Sequence, residues 1–171
     1  MTGPLVHPRG ADIIAAVKAA GVEYIVALPD IVTSDGLLWP ISRDRDLKLV
    51  RICKEDEGVS ICAGLSYCDK RALLLVQQTG LLDSLNAVRA IALNYALPIC
   101  MMVGLQGKEP HLKPRQSAAF GVRIIEPVLD AMELPYYLIE EPDDCSLIRP
   151  GIEDAYRYSR PLCFLVGRSP S

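Results

Sequence analysis

No stretch of the 171-residue sequence is apolar for long enough to cross a bilayer, because proline, glycine or a charge interrupts every run within a strand's length. An excess of basic charge is also missing. Eighteen Lys and Arg stand against 21 Asp and Glu, and the net charge of −3 leaves no electrostatic footprint for nucleic acid. The first ten residues have no cationic start followed by an apolar segment, so no secretion signal is read. Cysteines occur at 53, 62, 68, 100, 145 and 163 without a C-x-x-C pair, and 62, 100 and 163 lie inside apolar runs. Buried, reduced thiols in a cytoplasmic protein fit this pattern better than a disulfide framework or a zinc site. Histidine is scarce, with only His7 and His111, and no cluster of His, Cys and acids has ligand spacing. There is no G-x-S-x-G elbow, no G-x-G-x-x-G and no P-loop, which removes the common nucleophile and phosphate-loop signatures. No repeat, low-complexity tract or boundary divides the chain, and its length suits one domain over 1–171.

What is present is an alternation. Apolar runs at 24–28, 47–52, 71–77, 99–105, 136–139 and 162–166 read as strands, several without the polar alternation of a half-exposed sheet. Between them, 11–20, 57–68, 82–96, 124–132 and 152–158 read as helices. In the third, Leu85, Val88, Ala92 and Tyr95 fall three or four apart and share one predicted face. Repeated strand–helix alternation implies parallel strands joined by right-handed crossovers. The expected fold is therefore a three-layer α/β/α domain with a parallel sheet of about six strands. Its functional residues are expected in loops at the strands' carboxyl ends.

Three of those loops carry unusual chemistry. Lys54-Glu55-Asp56-Glu57-Gly58 puts three acids between a strand and an apolar, small-residue helix. They fit a helix amino terminus, with Asp56 as cap, or else a partly desolvated Glu55 suited to proton exchange. Gln77-Gln78-Thr79-Gly80 is read as a polar turn pivoting on Gly80, with Asp83 or Ser84 capping the next helix; it is a plain connection or a ligand-facing loop. The segment 106–116 concentrates Lys108, His111, Lys113 and Arg115, as a solvated loop or as a receptor for an anionic substrate group.

Taken together, these segments resemble the pyrimidine-binding domain of thiamine-diphosphate enzymes, and within them the sulfopyruvate and phosphonopyruvate decarboxylase family. In that family a glutamate stands nine positions before the glycine of a small-residue helix, and Glu55 and Gly64 keep the interval. The run 77–86 is similar to the family's Q-N-S-G-L-G-N-S-[IL]-N segment, with Gln78, Thr79, Leu82 and Asp83 as departures. Val26-Ala27-Leu28-Pro29 resembles the V-S-V-P strand end beside the active site. The likeness extends from about Gly10 to Gly167. Leu82 in place of a small residue, and Asp30 after Pro29, bear on the substrate more than on the cofactor.

The resemblance implies a lyase that decarboxylates a small anionic 2-oxo acid with thiamine diphosphate. Glu55 would be the catalytic carboxyl aimed at the pyrimidine ring nitrogen. Gln77, Gln78, Thr79, Gly80 and Pro29 would border the cofactor, and Asp30, Lys108, His111 and Arg115 the substrate. It also implies a partner, since the family's G-D-G magnesium motif is absent here. A beta subunit would carry the diphosphate and Mg2+ site in a hetero-oligomer. Two rivals remain from the residues: half of a thiamine-dependent carboligase, and a non-catalytic doubly wound domain binding a nucleotide or a protein.

Overall fold

A computed structural model describes residues 5–171. Six parallel strands form one sheet: β1 (Tyr24–Ala27), β2 (Lys48–Arg51), β3 (Ala72–Gln77), β4 (Cys100–Gly104), β5 (Tyr136–Ile139) and β6 (Leu162–Val166), in the order β2-β1-β3-β4-β6-β5. The expected three-layer α/β/α architecture is borne out. Along β3, Leu73 and Leu75 enter one core while Ala72, Leu74 and Val76 enter the other. A strand with both faces buried has no reason to alternate apolar with polar residues, which is why these runs are continuously hydrophobic. The edge strands β2 and β5 keep half-exposed positions.

One face is covered by α1 (Gly10–Ala19), α2 (Trp39–Ile41) and α8 (Ile148–Arg157), through Ile13, Val17, Ile41, Ile148 and Ile152. The other is covered by α3 (Glu55–Tyr67), α4 (Gln78–Asp83), α5 (Leu85–Ala87), α6 (Phe120–Arg123) and α7 (Ile125–Ala131). Helix α3 lies close to the sheet because Gly58 has no side chain. A Cβ there would collide with Leu74 and Ile52.

Several local expectations need correcting. The helix expected at 82–96 starts earlier, at Gln78, and is broken after Asp83; its second half is the π-helical turn Val88–Leu93. Val88 and Ala92 are buried as predicted, but the wider turn rotates the residues after it away from the core, and Tyr95 is 68% exposed. Gly80 is a helical residue, not the pivot of a turn; Asp83 ends α4, and Ser84 stands at the N-cap position of α5 without a capping side-chain bond. Ser84 donates its hydroxyl back to Gly80 O at 2.7 Å. A second π-helical turn, Ser34–Leu38, runs into α2 in the connection between β1 and β2. All six cysteines are free. Cys62, Cys100, Cys145 and Cys163 are buried, and burial alone pushes the Cys62 thiol up to about 12.

Candidate functional site

The chain leaves β1 toward β2 on one side and continues through β3 and β4 on the other, so the strand order switches direction between β1 and β3. Ligands of open parallel sheets bind outside the carboxyl ends at such a point. Glu55, from the start of α3, and Gly80, in the first turn of α4, meet there. The half-buried Glu55 side chain rests on Gly80 so closely that a Cβ at position 80 would overlap its carboxylate and its Cγ. Among the described residues nothing hydrogen-bonds to that carboxylate.

The neighbouring acids have other duties. Glu57, not Asp56, closes the helix start: its carboxylate accepts the backbone N–H groups of Cys53 (3.1 Å) and Lys54 (3.2 Å). Asp56 pairs with Lys54 at 3.3 Å, and Lys54 also reaches Asp83 on α4 at 3.4 Å. Asp56 first, then Asp83, hold the Lys54 ammonium above its usual range. With α3 and α4 thus tied from the outside, three adjacent acids fall into a cap, an ion pair and an unpartnered carboxylate.

The other candidates divide. Pro29 is exposed at the end of β1, and half-buried Gln77 donates its amide to the Thr79 hydroxyl at 2.7 Å, so both stand at the same edge as Glu55. Gln78 is 4% exposed, and both ends of its amide are used by the Gln106 backbone, so it is not free to bind a ligand directly. Asp30 is likewise engaged. It is buried, accepts N–H bonds from Val32 (2.6 Å) and Thr33 (3.0 Å) and the Thr33 hydroxyl, and so shapes the turn after β1. Of the cations at 108–115, two are also committed. Lys108, with a fully buried side chain, pairs with Glu140 beyond β5. Arg115 pairs with Glu126 (3.2 Å) and Asp130 on α7. His111 and Lys113 stand exposed. Sequence reasoning missed these partners because Glu140, Glu126 and Asp130 come from elements far along the chain. Gly64, whose interval from Glu55 carried the resemblance, faces open space on α3.

Among the described residues no three His, Cys, Asp or Glu side chains are grouped to hold a metal ion, and no helix is long and apolar enough to cross a membrane. The fold places one carboxylate, that of Glu55, against Gly80 at the switch point of a parallel α/β sheet. No family model matches the chain. Similarity to curated proteins nevertheless runs along most of it. The sulfopyruvate decarboxylase subunit alpha of Methanococcus maripaludis is 26% identical over 153 residues, 88% of this chain and 89% of the relative. That of Methanocaldococcus jannaschii is 27% identical over 151 residues, 88% of each. The sulfopyruvate decarboxylase of Methanosarcina acetivorans is 26% identical over 163 residues, which is 95% of this chain but 40% of the relative. The resemblance to this decarboxylase family read from the residues is borne out.

Proposed function

We propose that this chain, over 1–171, is the pyrimidine-binding alpha subunit of a heteromeric thiamine-diphosphate-dependent sulfopyruvate decarboxylase. The observation that carries the reading is the Glu55 carboxylate, free of hydrogen bonds and seated on Gly80 at the sheet's switch point, in a chain similar over most of its length to sulfopyruvate decarboxylase alpha subunits. The residues fit the cofactor: an unpartnered carboxyl for a ring nitrogen, a glycine that leaves its neighbour room, and exposed Thr79 and Pro29 at the rim. When bound, thiamine diphosphate supplies the nucleophilic carbon and the electron sink for loss of carbon dioxide. Glu55 holds a proton at the pyrimidine nitrogen, and Gly80 sets the direction of its carboxyl. His111 and Lys113 are left to meet the substrate's second anionic group.

Relatives named as alpha subunits, and a longer relative matched over 40% of its length, support a two-part enzyme; in the proposed arrangement a beta subunit would carry the diphosphate and Mg2+. Neither the carboligase nor the non-catalytic rival has a comparable observation behind it. The test is carbon dioxide release from sulfopyruvate by this chain, by a G-D-G-containing partner chain, and by their mixture with thiamine diphosphate and Mg2+. Only the mixture is expected to turn over. Turnover by this chain alone at ordinary enzymatic rates removes the half-site reading.

A further inference from the structure

The seat under Glu55 is only as well placed as the first turn of α4, and that turn has no side-chain cap of its own. What ties it to the segment after β4 is Gln78. This first residue of the helix is buried, with Oε1 accepting the Gln106 N–H at 2.8 Å and Nε2 donating to the Gln106 carbonyl at 3.1 Å. The pairing of β3 with β4 ends at Gln77 and Gly104. One residue further along β3, and two along β4, the glutamine side chain supplies the pair of bonds that a continuing strand would have made. Past Gln106 the chain turns at Gly107 (φ +84°), and Lys108 anchors it to Glu140. A connected series thus runs from Glu140 through Lys108, the Gln106 backbone and Gln78 to Gly80 and Glu55.

We infer that Gln78 is a positioning residue for Glu55, acting through Gly80 and touching no ligand itself. This rests on Glu55 being the cofactor-activating carboxyl. Removing the clamp frees the first turn of α4 from β4, so the Glu55 side chain loses its fixed seat while every atom of Glu55 remains. An ångström of misplacement in catalytic geometry costs on the order of 10²-fold, so the rate should fall substantially without loss of the residue.

The experiment compares wild type, Gln78→Met, Gln78→Glu, Gln77→Ala and Glu55→Gln. In the chain alone, 13C NMR of the Glu55 carboxyl reports its environment. In the complex with the partner, thiamine diphosphate and Mg2+, exchange of the cofactor's C2 proton reports activation. Gln78→Met is expected to move the Glu55 signal toward that of a solvated glutamate and to slow exchange about 10- to 100-fold. Gln78→Glu keeps an acceptor for the Gln106 N–H but sets a second oxygen against the Gln106 carbonyl, so it too should displace the Glu55 signal and slow exchange, whereas Gln77→Ala should leave the Glu55 signal in place. A purely structural role would lower stability but leave the signal and exchange as in wild type. That result in both Gln78 variants overturns the inference, and if Gln78→Met does not fold, Gln78→Glu decides alone. Should Glu55→Gln itself leave exchange intact, the reading of Glu55 falls instead, whatever the Gln78 variants do.

Discussion

Glu55, Asp56 and Glu57 occupy one helical turn and carry the same charge, yet their surroundings separate them. Glu57 turns back to satisfy two backbone donors that the helix start leaves open, and removing such a cap costs about 1 kcal/mol. Glu55 makes no such bond and lies on Gly80. Glu55→Gln should therefore slow C2 proton exchange in the assembled complex by about 10²–10⁴-fold with little change in urea stability. Glu57→Ala should do the reverse, losing about 1 kcal/mol of stability and keeping exchange. Gly80→Ala makes the sharpest separation. Alanine is the better helix former by up to about 1 kcal/mol, but its methyl group takes the space of the Glu55 carboxyl. The variant should fold at least nearly as well as wild type and lose activation. If Glu57→Ala stops exchange and Glu55→Gln does not, the activating acid has been placed two residues too early.

At the level of elements, the strands were the legible part. All six apolar runs became strands, because burial on both faces leaves a continuous hydrophobic signal that does not depend on partners. Helices were legible where a single face is buried, as in α1 and α3, and misread where π-helical turns shift the repeat, as at Val88–Leu93. At the edge around Glu55, the residues together with the family resemblance singled out Glu55, Gly80 and Pro29, which the fold brings to the carboxyl ends of adjacent strands. The partners of Lys108 and Arg115 were not legible for a different reason: a charged run shows its charges but not the carboxylates that other elements bring to them. Lys108 has the largest consequence. Its ammonium, wholly buried against Glu140, ties the segment after β4 to the end of β5. Taking away one partner of a buried pair strands the other charge, at about 3–5 kcal/mol, whereas replacing both with apolar residues is often near neutral. Urea denaturation should show that loss for Lys108→Met and most of it restored in Lys108→Met with Glu140→Leu. A single-variant loss under about 1 kcal/mol would mean that water reaches the pair.

For the whole molecule, the decisive feature is where the chemistry lies relative to the layers. Glu55, Gly80, Pro29, Gln77 and Thr79 share one edge of the sheet, with Pro29 and Thr79 exposed and Glu55 and Gln77 half-buried, and in the proposed two-chain enzyme a ligand bound there by this chain alone would meet half a site. The consequence is thermodynamic as well as kinetic. A ligand that binds only the folded, assembled state stabilises that state by RT ln(1 + [L]/Kd), about 2.7 kcal/mol at a hundredfold excess over Kd. A ligand with no complete site on the isolated chain stabilises it by nothing. Thermal melts of the isolated chain should therefore be unmoved by millimolar thiamine diphosphate with Mg2+. The complex with the partner should melt several degrees higher in its presence, with the gain growing logarithmically with cofactor concentration. Glu55→Gln retains a hydrogen-bonding group at the ring nitrogen, so it should keep most of this shift while losing proton exchange, which separates binding from activation. A cofactor-dependent rise in the melting temperature of the isolated chain equal to that of the complex would show that the site is complete within these residues, and the two-chain arrangement would have to be abandoned.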